Sequence, residues 1–189
     1  MLCTDIGLCY NQFDKLEFDK GVCCVMASSN RVALDKEINN LLTEAEASSP
    51  REMLTDLPFM NQFPDVHEWH DFEHNIWNTG EKIRQLISVR QTAFNRDQIN
   101  RILNICLDKR AKRGRQSFVM LLGKTKYCEY ANALVPLLQD DDVNGHVIDT
   151  LYKMRANGYV ELITPFLKHR QTWIRNIAKK YVQKFEDSD

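Results

Sequence analysis

The chain has 189 residues, 43% hydrophobic and 27% charged, with 25 Lys/Arg against 26 Asp/Glu and a pI of about 6.5. That is apolar material for one core, and few glycines and prolines suit a helical protein. No apolar run approaches the ~18 residues of a membrane span, and the pI argues against a dedicated nucleic-acid binder.

Met1-Leu2-Cys3-Thr4-Asp5 lacks the basic and apolar stretches of a signal peptide, so a cytoplasmic location is expected. Residues 1–80 carry 14 acidic and 5 basic side chains, residues 81–189 carry 12 and 20. Either the halves attract one another in the fold or a polar molecule orients charged partners. Six cysteines include no C-x-x-C pair. Cys106 on an apolar helical face, and Cys23-Cys24 within Val22–Met26, read as reduced, buried thiols.

In chain order, Val22–Met26 fits a short buried strand or part of a helix. Leu34, Ile38, Leu41, Leu42 and Ala45 recur at helical spacing and predict a helix over about 31–46. Ser49-Pro50-Arg51-Glu52 combines a capping box with proline at the first helical position, predicting a short helix before Pro58. Pro58 and Pro64 bracket an irregular segment. Asp65-Val66-His67-Glu68 is a second cap-and-box start. It opens a helix with the stripe Trp69, Phe72 and Ile76, expected to end at Asn78-Thr79-Gly80. Ile83, Leu86 and Ile87 mark another amphipathic helix, and Asn95-x-x-Gln98 caps the next.

From Asp97 to Phe185 the sequence repeats itself. Arg115–Phe118–Leu122, Asn144–Val147–Leu151 and Arg175–Ala178–Val182 each follow i, i+3, i+7, at offsets of 29 and 31 residues. Leu103, Cys106 and Leu107 map onto Leu134, Leu137 and Leu138, then onto Ile163, Phe166 and Leu167; Pro136 falls on Pro165. A period of about 30 with one helix pair per period marks an α-solenoid. Leu134–Val143, with its Asp-rich turn, resembles the end of a HEAT first helix, and Trp173–Ala178 the start of a HEAT second helix. The resemblance implies an all-α, right-handed HEAT-like solenoid of helical hairpins. Its clear units are about 97–123, 127–156 and 159–185, within one continuous domain. A mostly helical capping segment, 1–64, precedes repeats over 65–189. It also implies that Arg115, Arg175 and Asp141 are scaffold, forming a ladder between repeats. Asn144 departs from the family by standing where arginine is expected.

Three constellations carry possible chemistry. His70-Asp71-Phe72-Glu73-His74 matches H-x-x-E-H, resembling the inverted zinc-protease motif. His70 and His74 would reach a metal with Glu73 as base, but no third ligand is nominated, and a solvated or core-satisfying histidine cluster is the stronger reading. Lys109-Arg110-Ala111-Lys112-Arg113-Gly114-Arg115 is either a phosphate-binding patch or a solvated turn at a helix C-terminus. HEAT-like DNA alkylation glycosylases use an Asp beside aromatics. Here Trp173 is the one tryptophan in the three clear units, and Asp149 lies in another unit. Finally, Met120, Asp149 and Lys180 are register equivalents, as are Lys124, Lys153 and Lys184, a row that is either a basic stripe or dipole-complementing cations. No Gly-rich phosphate loop, G-x-S-x-G elbow or paired Cys/His framework is present, so no cofactor or metal is implied.

These features predict a non-catalytic protein-binding module. A solenoid of this size is similar to bacterial toxin-immunity proteins, which implies a cytoplasmic inhibitor covering a partner's active site, for instance that of a basic nuclease toxin. The candidate surface comprises Asp65, Glu68, Asp71 and Glu73, with Lys124, Asp149, Lys153, Trp173, Lys180 and Lys184 along the repeats. Nucleic-acid binding by the basic half is the alternative, and zinc-dependent hydrolysis at His70/Glu73/His74 a remote one.

Overall fold

The computed structural model describes the backbone of residues 15–90 and 92–186, and the side chains of 30–62, 67–90 and 92–186. Among these residues the fold is all-α, with eight α-helices and a single two-stranded hairpin. The chain divides into two compact units, Met1–Glu37 and Ile38–Asp189. Helix α1, Lys15–Ser48, runs through the boundary. In the first unit Val22–Met26 is helical, and Arg31 pairs with Asp35 one turn on at 2.9 Å.

In the second unit, Ile38, Leu42 and Ala45 at the end of α1 are fully buried, as their spacing predicts. The helix expected from Ser49-Pro50-Arg51-Glu52 does not form; residues 49–58 are irregular. A cap contributes about 1 kcal/mol, too little for a segment whose residues 51–56 are all exposed and bury no face. Strands β1, Phe59–Met60, and β2, Phe63–His67, pair antiparallel, Phe59 opposite His67. The second expected cap therefore falls on a strand. The helix starts instead at Asp71, where the Glu73 carboxylate accepts from the His70 N–H at 2.9 Å. Its first turn keeps the acidic residues Asp71 and Glu73, favourable at a helix N-terminus.

Helix α2, Asp71–Arg90, does not stop at Gly80. It continues because the glycine is a contact. A Cβ at Gly80 would lie 2.2 Å from Ser117 Oγ, so α4, Gln116–Leu121, packs directly on the backbone there. Helix α3, Arg96–Leu107, opens with the predicted reciprocal box: Asn95 Oδ1 accepts from Gln98 N–H at 2.9 Å and Gln98 Oε1 from Asn95 N–H at 3.1 Å. It ends at Leu107, and a tight 3₁₀ turn, Lys109–Arg115, leads into α4.

Beyond α4 the elements are shorter than the periodicity suggests. Helix α5, Ala131–Leu134, passes into 3₁₀ turn Val135–Gln139, then comes α6, Asn144–Met154. Helix α7, Val160–Ile163, passes into Thr164–Lys168, then comes α8, Thr172–Phe185. Pro136 and Pro165 sit where the helices tighten to 3₁₀, since proline cannot donate to the α pattern. Helix α2 packs on α4, α4 on α6, and α6 on α8. Thr150 Oγ1 donates to Val119 O at 3.1 Å, tying α6 to α4. The core line is Ile76, Ile83, Phe118, Leu122, Val147, Leu151, Ala178 and Tyr181, all buried. Among the described residues no helix is long and apolar enough to cross a membrane.

Candidate functional site

The basic run folds inward, against the phosphate-patch expectation. Lys112 takes φ 45°, ψ −133°, a left-handed conformation costly for a residue with a Cβ. Its Nζ donates to Asp56 Oδ1 at 2.5 Å and its side chain is almost wholly covered. The turn then feeds two arginines to the interior. Arg115 is 0% exposed: its Nε donates to Lys112 O at 2.7 Å, Nη1 to Cys106 O at 3.3 Å, and Nη2 to Asp140 Oδ2 at 2.9 Å and Asp142 Oδ2 at 3.5 Å. Arg113 donates from Nε to Glu73 Oε1 at 3.2 Å, from Nη1 to His67 O at 2.7 Å and from Nη2 to Glu68 O at 2.5 Å; its guanidinium lies 5.0 Å from the Trp69 ring centre. Arg110 pairs with Asp108, leaving Lys109 as the one cation of the run with no ion pair among the described residues.

Arg115, Arg175 and Asp141, expected to join into a ladder, do not contact one another. Arg115 spans from its own helix pair to the next turn, but its partners are Asp140 and Asp142 rather than Asp141. Arg175 stays within its own turn, donating to His169 O, Arg170 O and Thr172 Oγ1. Asn144 donates from Nδ2 to Asp141 Oδ1 at 3.1 Å, and its Oδ1 has no partner among the described residues. The turn before α6 is Asp140-Asp141-Asp142; the turn before α8 is His169-Arg170-Gln171, which offers no carboxylate to a cation.

These pieces line a cleft of two adjoining cavities. One, of about 220 Å³, is bounded by Asp56, His67, Arg113, Asp141, Asp142 and Arg170. The other, of about 250 Å³, lies against Trp69, Asp141, Asp142, Asn144, His146 and Trp173. Trp173 is 46% exposed and fixed from below. A Cβ on Gly145 would come 2.2 Å from its ring, His146 lies 5.1 Å away, and its Nε1–H donates to Gln171 Oε1 at 3.1 Å. Burial, followed by the Asp140 charge, raises the Asp142 carboxyl above the usual range against the pull of Arg115. Burial lowers His146 below its ordinary value. Asp141 is exposed and makes no ion pair among the described residues.

The candidate residues divide. Glu73 is 1% exposed and caps α2 while holding Arg113, so it leaves the expected partner surface and is not free to serve as a base. His70 Nε2 is 2.9 Å from Thr55 O, and His74 stacks on Trp69. Among the described residues no group of three metal-ligating side chains forms. Glu68 and Asp71 are exposed; the side chain of Asp65 lies outside the described residues. The lysine row is largely occupied: Lys153 pairs with Asp149 at 2.6 Å, and Lys184 sits 4.4 Å from the Tyr152 ring centre. Lys124 lies in the turn after α4, not late in a helix, and Lys180 is exposed on α8. Trp69, Asp142 and Asn144 are site residues that no motif in the sequence marks, and aspartates and tryptophans that lie far apart in the chain, Asp141, Asp142, Trp69 and Trp173, line one cleft. The available signal was asparagine at a ladder position. Of the cysteines, Cys106 is buried and free as expected, and Cys128 is free but exposed; the other four lie outside the described side chains.

Comparison with protein-family models, curated proteins and solved structures gives no match to this chain.

Proposed function

We propose that the chain is a non-catalytic, HEAT-like α-solenoid that binds another protein through this edge, as a small inhibitor covering a basic partner's active site. The carrying observation is how the basic run is used. Four of its five cations are held by Asp56, Glu73, Asp108 and Asp140. What remains outward at the cleft is Trp173, Asp141 and one cation, Arg170, with the exposed Glu68 and Asp71 on either side of Trp69 in the chain. Exposed carboxylates around an exposed indole suit a basic protein surface and repel a phosphate backbone. The right-handed solenoid is part of the proposal, supported by the repeat register and by α2, α4, α6 and α8 packing in succession.

The test is capture from source lysate with and without nuclease. One stoichiometric protein surviving nuclease and moderate salt supports the reading. The double change Glu68→Lys/Asp71→Lys should slow association at low salt; equal capture and unchanged on-rate sink this surface. A second reading draws on the same cleft, because tryptophans beside aspartates can also hold a base taken out of a duplex. Recovery only without nuclease, with steep salt dependence on duplex DNA, would replace the first reading by this one.

A further inference from the structure

The cleft has the makings of a receptor for one charged side chain. Its anionic wall is under-compensated. Arg115 reaches Asp140 at 2.9 Å but Asp142 only at 3.5 Å, and Asp141 has no ion-pair partner among the described residues. Arg113, also on the wall, is committed to Glu73 Oε1 and the carbonyls of His67 and Glu68, and Arg170, at the rim of the neighbouring cavity, is exposed and makes no ion pair with either aspartate.

A second observation is independent of charge. Asn144 lines the same cavity and is 2% exposed. Its Nδ2 is used by Asp141, and its Oδ1 has no hydrogen-bond partner among the described residues. A buried acceptor left unmade is costly, so the site calls for a donor. The missing group therefore donates hydrogen bonds and carries positive charge. Trp173 adds an exposed indole, the preferred surface for a cation. The cleft already shows the fit once, with Arg113 against Trp69 at 5.0 Å.

Resting on the protein-binding reading, we infer that the cleft receives an arginine side chain of the partner, its guanidinium against Trp173, paired with Asp141 and Asp142 and donating to Asn144 Oδ1. A planar fork of donors can serve two carboxylates and an amide oxygen while stacking on an indole; a lysine ammonium is a compact, strongly hydrated point charge and does this less well.

The experiment needs no identified partner. The full chain, labelled with ¹⁵N, is titrated with N-acetyl-arginine amide, and in parallel with the lysine and citrulline counterparts and with N7-methylguanosine. Expected is a saturable shift of the Trp173 indole N–H and the Asn144 side-chain amide with arginine, weaker with lysine and absent with citrulline. Asp142→Asn, checked for an intact melt, should weaken arginine by roughly tenfold. Equal response to citrulline, no saturation, or unchanged affinity in Asp142→Asn overturns the proposal. Tighter binding of the cationic nucleoside replaces the occupant. A Trp173→Ala/Asp142→Asn variant in the lysate capture separates the two readings. If it captures the partner as well as the parent chain does, protein binding stands and the arginine site falls. If neither captures anything, protein binding falls and the titration still decides the site.

Discussion

At the scale of single residues, Arg115 and Asn144 show what one register position can do. Both stand at the start of a second helix, 29 residues apart. Arg115 is buried with four acceptors around it, so removing it leaves Asp140 and Asp142 without their cation. Arg115→Met should cost about 3–5 kcal/mol, and adding Asp140→Asn/Asp142→Asn should recover much of that, read as denaturant midpoints. Asn144→Ala removes one hydrogen bond together with an orphan acceptor, so its stability change should stay within about 1 kcal/mol. A large loss there would mean that the amide is a scaffold element.

At the scale of elements, local signals decided structure only where packing agreed with them. Asn95 and Gln98 formed their box because Ile99, Ile102 and Cys106 bury the helix that follows. The motif at Ser49 has comparable cap chemistry and failed for want of such a face; the one at Asp65 failed because Phe63–His67 pairs as a strand with Phe59–Met60. Gly80 misled in the opposite direction. Glycine costs a helix roughly 1 kcal/mol relative to alanine, so it reads as a terminator. Here the missing side chain is the space α4 occupies. Gly80→Ala should therefore destabilise, by about 1–3 kcal/mol despite better propensity, and pairing it with Ser117→Gly should restore part of the loss. A stabilised Gly80→Ala would refute the close crossing. Asn95→Ala should cost about 1 kcal/mol by thermal melt.

For the whole molecule, the cleft was the least legible feature. Trp69, Arg113, Asp142 and Trp173 are dispersed over more than half of the chain, and no local period relates them. The repeat register was legible because it recurs; the site arises where the register breaks. Its electrostatics predict the pH response. The Asp142 carboxyl is raised by burial and by Asp140, so above 3.8 the folded chain holds this proton longer than the unfolded one. Its contribution to stability therefore falls as pH rises through that window and stays reduced at neutral pH. Asp142→Asn should raise the Tm at pH 7 while weakening binding. His146 has the opposite slope. Burial lowers it from 6.5, so its contribution is present above 6.5 and is lost as pH falls towards the lowered value. A His146→Gln variant should flatten the decline in Tm between pH 7 and pH 5.

Cys106 supplies a clock. Its thiol is fully buried and burial pushes it up to about 12, so at neutral pH the native state offers almost no thiolate to an alkylating reagent. Its carbonyl accepts from Arg115. With Cys3, Cys9, Cys23, Cys24 and Cys128 changed to serine, the rate of modification at this one sulfur would report how often the Arg115 layer opens. Bound ligand at the cleft should then lengthen the waiting time by the factor 1 + [L]/Kd.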